Sequence, residues 1–291
     1  MSGSMERLEN PFRGGAGAGP RLALRPMTGH EEEWVERRRS EANTARLCNE
    51  VLARCLVAPG AEASRELERV RALPVAQRDE ALLQLRRLSL GDTVHTRTAC
   101  PACGVAAEVD FQLSQLPLPS TEAPARVLAT LEDGTQAVLR LPTAGDQESL
   151  LDARLETEAE RRTWLLSRVL VRLGQQEGPF PEESTRMLPS STRSALERAL
   201  EEALPDLDLS MALTCAGCGK SFSAPFDVAG FFFAEMSQRS RHLLRHVHEL
   251  ASRYHWSEAE LLSMPLPRRQ AYLELIDTER DRALLRALEE G

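Results

Sequence analysis

The chain has 291 residues, 42% of them apolar and 27% charged, enough to bury a substantial core in one large or two small domains. Its 44 acidic residues against 36 basic ones leave a net charge of -8, the wrong sign for a protein whose main partner is nucleic acid or an anionic membrane. No apolar run approaches the ~20 residues that span a bilayer, and MSGSMERLENPFRGG lacks the apolar stretch of a secretory signal, so membrane insertion is not expected and the expected location is a reducing cytoplasm with unpaired cysteines.

Residues 1–20 are rich in Gly, Ser and Pro and read as a disordered tail. Region 21–91 reads as mainly helical. RLALRPMTG alternates like a short strand, and Thr28 is placed to cap HEEEWVERRR, whose glutamates lead and arginines trail as the helix dipole favours. ANTARLCNEVLARCL repeats Ala45, Leu47, Val51, Leu52, Cys55 and Leu56 at helical spacing until Pro59-Gly60. Cys48 and Cys55 fall on one face of that helix and read as core. AQRDEALLQLRRLSLGD supplies a further helix, with Leu82, Leu83, Leu85 and Leu88 on its apolar side.

The pattern changes over region 92–145. DTVHTRTAC leads as a strand into Cys100, VAAEVDFQL leaves Cys103 as another, and RVLATLEDGTQAVLRLP reads as a hairpin turning at Asp133-Gly134. Region 146–205 reads as a helical insertion. Leu150, Leu151, Leu155, Trp164, Leu165 and Leu166 keep helical spacing to about Leu173, and after a loop SSTRSALERALEEALP runs to Pro205. In region 206–230 LDLSMALTC is again a strand entering a cysteine. Region 231–291 reads as helices separated at His255-Trp256 and at Pro265 and Pro267. The second β part must therefore return to the first.

Cys100-Pro-Ala-Cys103-Gly and Cys215-Ala-Gly-Cys218-Gly form a miniature repeat, each followed eight residues after its second cysteine by a phenylalanine, Phe111 or Phe226. In such a knuckle two thiolates face one metal, turn N–H groups donate to the sulfurs, and the glycine takes the left-handed conformation that the turn needs. Two knuckles supply four thiolates, the closed tetrahedral shell of a structural zinc, one Zn2+ per chain. The separation of 112 positions between Cys103 and Cys215 is tolerable because loop-closure entropy grows only logarithmically. Two alternatives are metal-free buried thiols and a thiol-disulfide oxidoreductase. Strand-like flanks argue against the latter, whose CxxC opens a helix.

Little else in the sequence points to chemistry. His242 and His246 are four apart on a helix, but His248-Glu249 fails as a zinc-protease motif because Ser252 stands where the second histidine belongs. His95 is a spare ligand beside a set already complete. No phosphate-binding loop, dinucleotide fingerprint or nucleophile elbow occurs. A zinc-ribbon nucleic-acid-binding or transcription accessory protein is the alternative function, but only Arg97 and Lys220 are basic near the knuckles. Of eight phenylalanines, five lie between 222 and 233. That run either fills the core or presents partner-binding anchors, for which Phe231, Phe232, Phe233 and Trp256 are the candidates.

RPMTGHEEEW, TARLCNEVLARCL, VAQRDEALLQLRRLSLGD and the first CPACG, in that order, resemble the T4-type phage baseplate hub assembly family. CAGCG, PFDVAGFFFAE and RHLLRHVHELASRYHWSEAELLSMPLPRRQAYLELI look like the extended form that accompanies bacterial contractile injection particles, so the resemblance covers about 22–276. It implies a non-enzymatic assembly role in a contractile tail or injection system, with hub or baseplate proteins as partners and no nucleic-acid or small-molecule substrate. Cys100, Cys103, Cys215 and Cys218 carry over as zinc ligands, whereas Phe232-Phe233 stands where the resemblance implies a tryptophan. The expected fold is α+β: a central split zinc ribbon with a β-hairpin, surrounded by N-terminal, inserted and C-terminal helices.

Overall fold

A computed structural model of the protein describes residues 22–40, 43–57, 63–116, 124–204 and 209–289, and the expected tail at 1–20 lies outside them. Four helices open the described chain: α1 (Gly29–Arg38), α2 (Thr44–Cys55), α3 (Ala63–Arg71) and α4 (Val75–Leu90). The first hairpin, β1 (Thr93–Ala99) and β2 (Ala106–Gln112), follows. Next come β3 (Val127–Thr130), β4 (Gln136–Leu139), α5 (Ala144–Asp152), α6 (Glu158–Val169), β5 (Leu170–Leu173), β6 (Gln176–Glu177), α7 (Glu182–Arg186) and α8 (Ser190–Ala203). A second hairpin, β7 (Ser210–Thr214) and β8 (Ser221–Pro225), precedes α9 (Val228–Tyr254), α10 (Glu258–Leu262) and α11 (Leu266–Glu289).

Local chemistry accounts for most of these boundaries. Glu31 accepts from the Thr28 N–H at 2.9 Å and the Thr28 hydroxyl at 2.7 Å, starting α1 where the sequence predicts. Asn43 caps α2 by accepting from the Arg46 N–H at 2.8 Å. Two local expectations are corrected, and one helix is added to them. RLALRPMTG makes two isolated bridges, Leu24 to Leu56 and Thr28 to Pro265, rather than a strand. The helix expected to run to about Leu173 stops at Val169, because Leu170–Leu173 pairs with β4. Helix α3 has no counterpart in the sequence reading: SRELERVR offers only Leu67 and Val70 as apolar residues, too few to set a period.

The strands form three antiparallel sheets, β1-β2, β3-β4-β5-β6 and β7-β8, so no ladder joins the two knuckle hairpins among the described residues. Among the described residues, three apolar clusters hold the molecule. The first gathers Leu47, Val51 and Leu52 of α2, Leu82 and Leu85 of α4, Val94, Leu113 and Leu209 at the hairpin roots, and Phe232, Phe233 and Met236 of α9. The second lies between the four-stranded sheet and helices α6 and α8, and the third joins the end of α9 to α10 and α11. These clusters cut across the sequence divisions. The 127–139 hairpin shares its core with the inserted helices, while the start of α9 belongs with the N-terminal ones.

Buried ion pairs tie distant segments together. Glu148 of α5 accepts from Asn49 and Arg46 of α2, at 2.9 and 3.0 Å, and from Arg71 of α3, at 2.7 and 3.0 Å. Burial alone would raise the Glu148 carboxyl, but the Arg71, Asn49 and Arg46 hydrogen bonds outweigh it and hold the pKa below its ordinary value. Glu32 of α1 pairs with Arg269 of α11, both almost wholly buried, which locks the first helix to the last. Thus the acidic first turn of α1, read as a favourable dipole arrangement, chiefly makes specific pairs: Glu31 also binds Arg25, at 3.0 and 3.1 Å.

Candidate metal centre

Each knuckle closes a hairpin. The last strand pairs, Ala99 with Ala106 and Thr214 with Ser221, leave loops of the same length at 100–105 and 215–220. The loops repeat each other's bonds. Cys100 N–H donates to Val105 O at 2.9 Å and Gly104 N–H to Cys100 O at 2.8 Å; Cys215 N–H donates to Lys220 O at 3.0 Å and Gly219 N–H to Cys215 O at 2.9 Å. Gly104 and Gly219 sit at φ +73° and +71°, the conformation that a side chain would strain.

The loops meet tip to tip, and the ligand atoms of Cys100, Cys103, Cys215 and Cys218 all lie within 4.8 Å of one another. Pairing is crossed: Cys100 Sγ is 3.8 Å from Cys218 Sγ, and Cys103 Sγ is 3.6 Å from Cys215 Sγ. Exchanging the knuckles maps one contact onto the other, so the cluster has an approximate twofold axis. The approach is close, since a Cβ on Gly217 would stand 3.1 Å from Val105 Cγ2. No disulfide joins any of the four; Cys100 and Cys215 are buried and Cys103 and Cys218 lie at the surface.

The donor set fits a metal. A tetrahedron with metal–sulfur bonds of about 2.3 Å has edges of about 3.8 Å, close to both short contacts. Backbone N–H groups of Cys218 and Gly217 favour the Cys215 thiolate and bring that thiol down to about 7. At Cys103 the Val105 N–H acts the same way, but the neighbouring sulfurs outweigh it and push the thiol up to about 12. Four thiolates this close repel unless a cation stands among them. A cysteine pair in a β-hairpin turn also lacks the helix N-terminus that activates a redox thiol.

The opposite end of the hairpin pair is closed by rings. Phe111, just inside the end of β2, meets Phe226 edge-on at 5.3 Å between centroids, and Phe226 meets Phe231 of α9 at 5.1 Å. The repeated phenylalanines therefore make the second junction between hairpins, and Phe231 passes it on to α9. Arg86 reinforces this end. Its guanidinium donates to Gly91 O and Thr93 O, at 2.6 and 2.8 Å, and to Glu235 of α9, at 2.9 and 3.0 Å. Helical spacing alone does not single out Arg86; the signal that marks it is a charge between Leu82, Leu85 and Ser89 on the apolar side of α4.

Phe232 and Phe233 are 1% and 6% exposed, inside the first apolar cluster, where both rings fill the chain's own core, the first of the two readings of the run. Phe231 is half-buried in the aromatic relay, and Trp256 stacks on Tyr254 at 4.7 Å and lies against Tyr272. Cys48 and Cys55 are fully buried away from the cluster, and burial pushes both thiols up to about 12.

A family model described as T4 bacteriophage base plate protein matches residues 17–233, a span that takes in both knuckles and stops at Phe233. Comparisons with curated proteins and with solved structures gave no match.

Proposed function

The chain belongs to the T4 bacteriophage base plate protein family, and from that premise we propose that it is a non-enzymatic accessory protein that binds hub or baseplate subunits during assembly of a contractile tail or contractile injection system. The single observation that carries this reading is a family match running continuously through both knuckles and the insertion between them. The sulfur cluster supports a structural part in it: four thiolates leave no open coordination position for a substrate.

The metal in this reading is zinc, one per chain, and the two hairpins with their shared ion form a zinc ribbon split by the 127–203 insertion. Zinc suits four thiolates in a tetrahedron and, unlike iron, undergoes no redox change. Cys100, Cys103, Cys215 and Cys218 would hold it, and its binding energy would become folding energy for hairpins that no ladder joins among the described residues. Assembly would take place in a reducing cytoplasm, where the thiols stay available to the metal.

Deleting the gene should leave sheath and tube proteins at normal levels while intact particles disappear from electron micrographs. Normal numbers of contractile, functional particles from the deletion strain would overturn the assembly role.

A further inference from the structure

Helix α11 changes character along its length. Its first half is anchored by Leu266, Arg269 and Ile276, all buried. From Asp277 to Glu289 every residue is exposed. In that half Leu284, Leu285 and Leu288 are 61%, 59% and 71% exposed, and at 100° per residue they fall on one side of the helix. Surface ion pairs, Arg280 with Glu249 and Arg253 with Glu279, are what fasten this half to α9. So short a stretch of helix is marginal in water without an apolar surface to lie on.

Charge decides what that surface is. One and two turns before the leucines, the same side of α11 carries Asp281, Asp277 and Glu274, while Arg282 and Arg286 point away from it. Arg280 is committed to Glu249, with a longer contact of 3.5 Å to Asp277. A second copy is a poor occupant. Aligned in parallel, it would set Asp277 and Asp281 against themselves; aligned antiparallel over the leucines, it would bring Asp281 toward the other copy's Glu289, with a net charge of -8 on each chain. We infer that the Leu284–Leu285–Leu288 face with its acidic approach is a docking site for a positively charged amphipathic helix of another protein. The site lies beyond residue 233, where the family match ends, so it belongs to a part of the chain not shared through that match.

The inference does not rest on the baseplate reading: particle loss on gene deletion tests that reading, whereas peptide preference tests this one. The test uses the full-length, metal-replete protein with two synthetic helical peptides, leucines along one face of each, lysines flanking them in one and glutamates in the other. Fluorescence anisotropy should give the lysine peptide at least about tenfold tighter binding, weakening as salt is raised. Leu284→Asp with Leu288→Asp should abolish that binding, and Asp277→Lys with Asp281→Lys should reverse the preference, each with unchanged circular dichroism and metal content. Equal binding of both peptides, or binding of neither, would overturn the inference. So would a concentration-dependent dimer in sedimentation that Leu284→Asp with Leu288→Asp dissolves.

Discussion

Between Val127 and Ala203 a four-stranded sheet packs against α6 and α8 and encloses twelve buried apolar residues of its own, from Val127 to Leu200. The two knuckle hairpins bury only Val94 and Ala224 within their strands, the remaining positions being exposed or half-buried. A two-stranded hairpin is marginal in water. The inserted sheet escapes that limit by adding strands and helices. The hairpins instead meet at their two ends, at the Phe111–Phe226 contact and at the four clustered sulfurs. Where strands bury little of themselves, what brings them together is contact between their ends.

Substitutions can separate these two ways of holding strands. The largest effect is expected from Cys215→Ser. Structural zinc sites contribute roughly 10–16 kcal/mol of apparent binding free energy at neutral pH, so losing one of four thiolates should lower metal affinity by orders of magnitude. Hydrogen exchange should then show lost protection in β1, β2, β7 and β8 while β3, β4 and β5 stay protected. Equal loss in both regions would break the contrast. Leu139→Ala should do the converse. It empties a fully buried site in the inserted core, costs about 2–5 kcal/mol in denaturant unfolding, and leaves the metal content of the folded protein unchanged.

A smaller pair sharpens the contrast further. Gly219 and Gly134 both sit at positive φ, +71° and +81°, with open space where a Cβ would go. Alanine at either should cost about 1–2 kcal/mol from backbone strain alone. Only Gly219→Ala, which lies in a knuckle, should weaken metal binding in a competition titration; Gly134→Ala, in the β3–β4 turn, should leave it unchanged.

How far the sequence made this legible follows from how local each signal is. The knuckles, the turn at Asp133-Gly134 and the cap at Thr28 are spelled out within a few residues, and each stands where the spacing places it. What pairs with distant chain was not legible. Leu170–Leu173 continues a helical period, and only the free edge of β4 turns it into a strand. Glu32 and Arg269 look like solvated charges until the fold brings α1 and α11 together. The phenylalanine run carried two readings, core and partner surface; burial of Phe232 and Phe233 follows from where α2 and α4 lie, which spacing along α9 does not encode.

The most direct test of the sulfur cluster is X-ray absorption at the metal edge on protein purified under reducing conditions, with metal content measured on the same sample. The account predicts one zinc per chain and a shell of four sulfurs at about 2.3 Å. A shell containing nitrogen or oxygen, or metal-free protein in which all four knuckle thiols react with an alkylating reagent while the hairpins keep their protection, would contradict it.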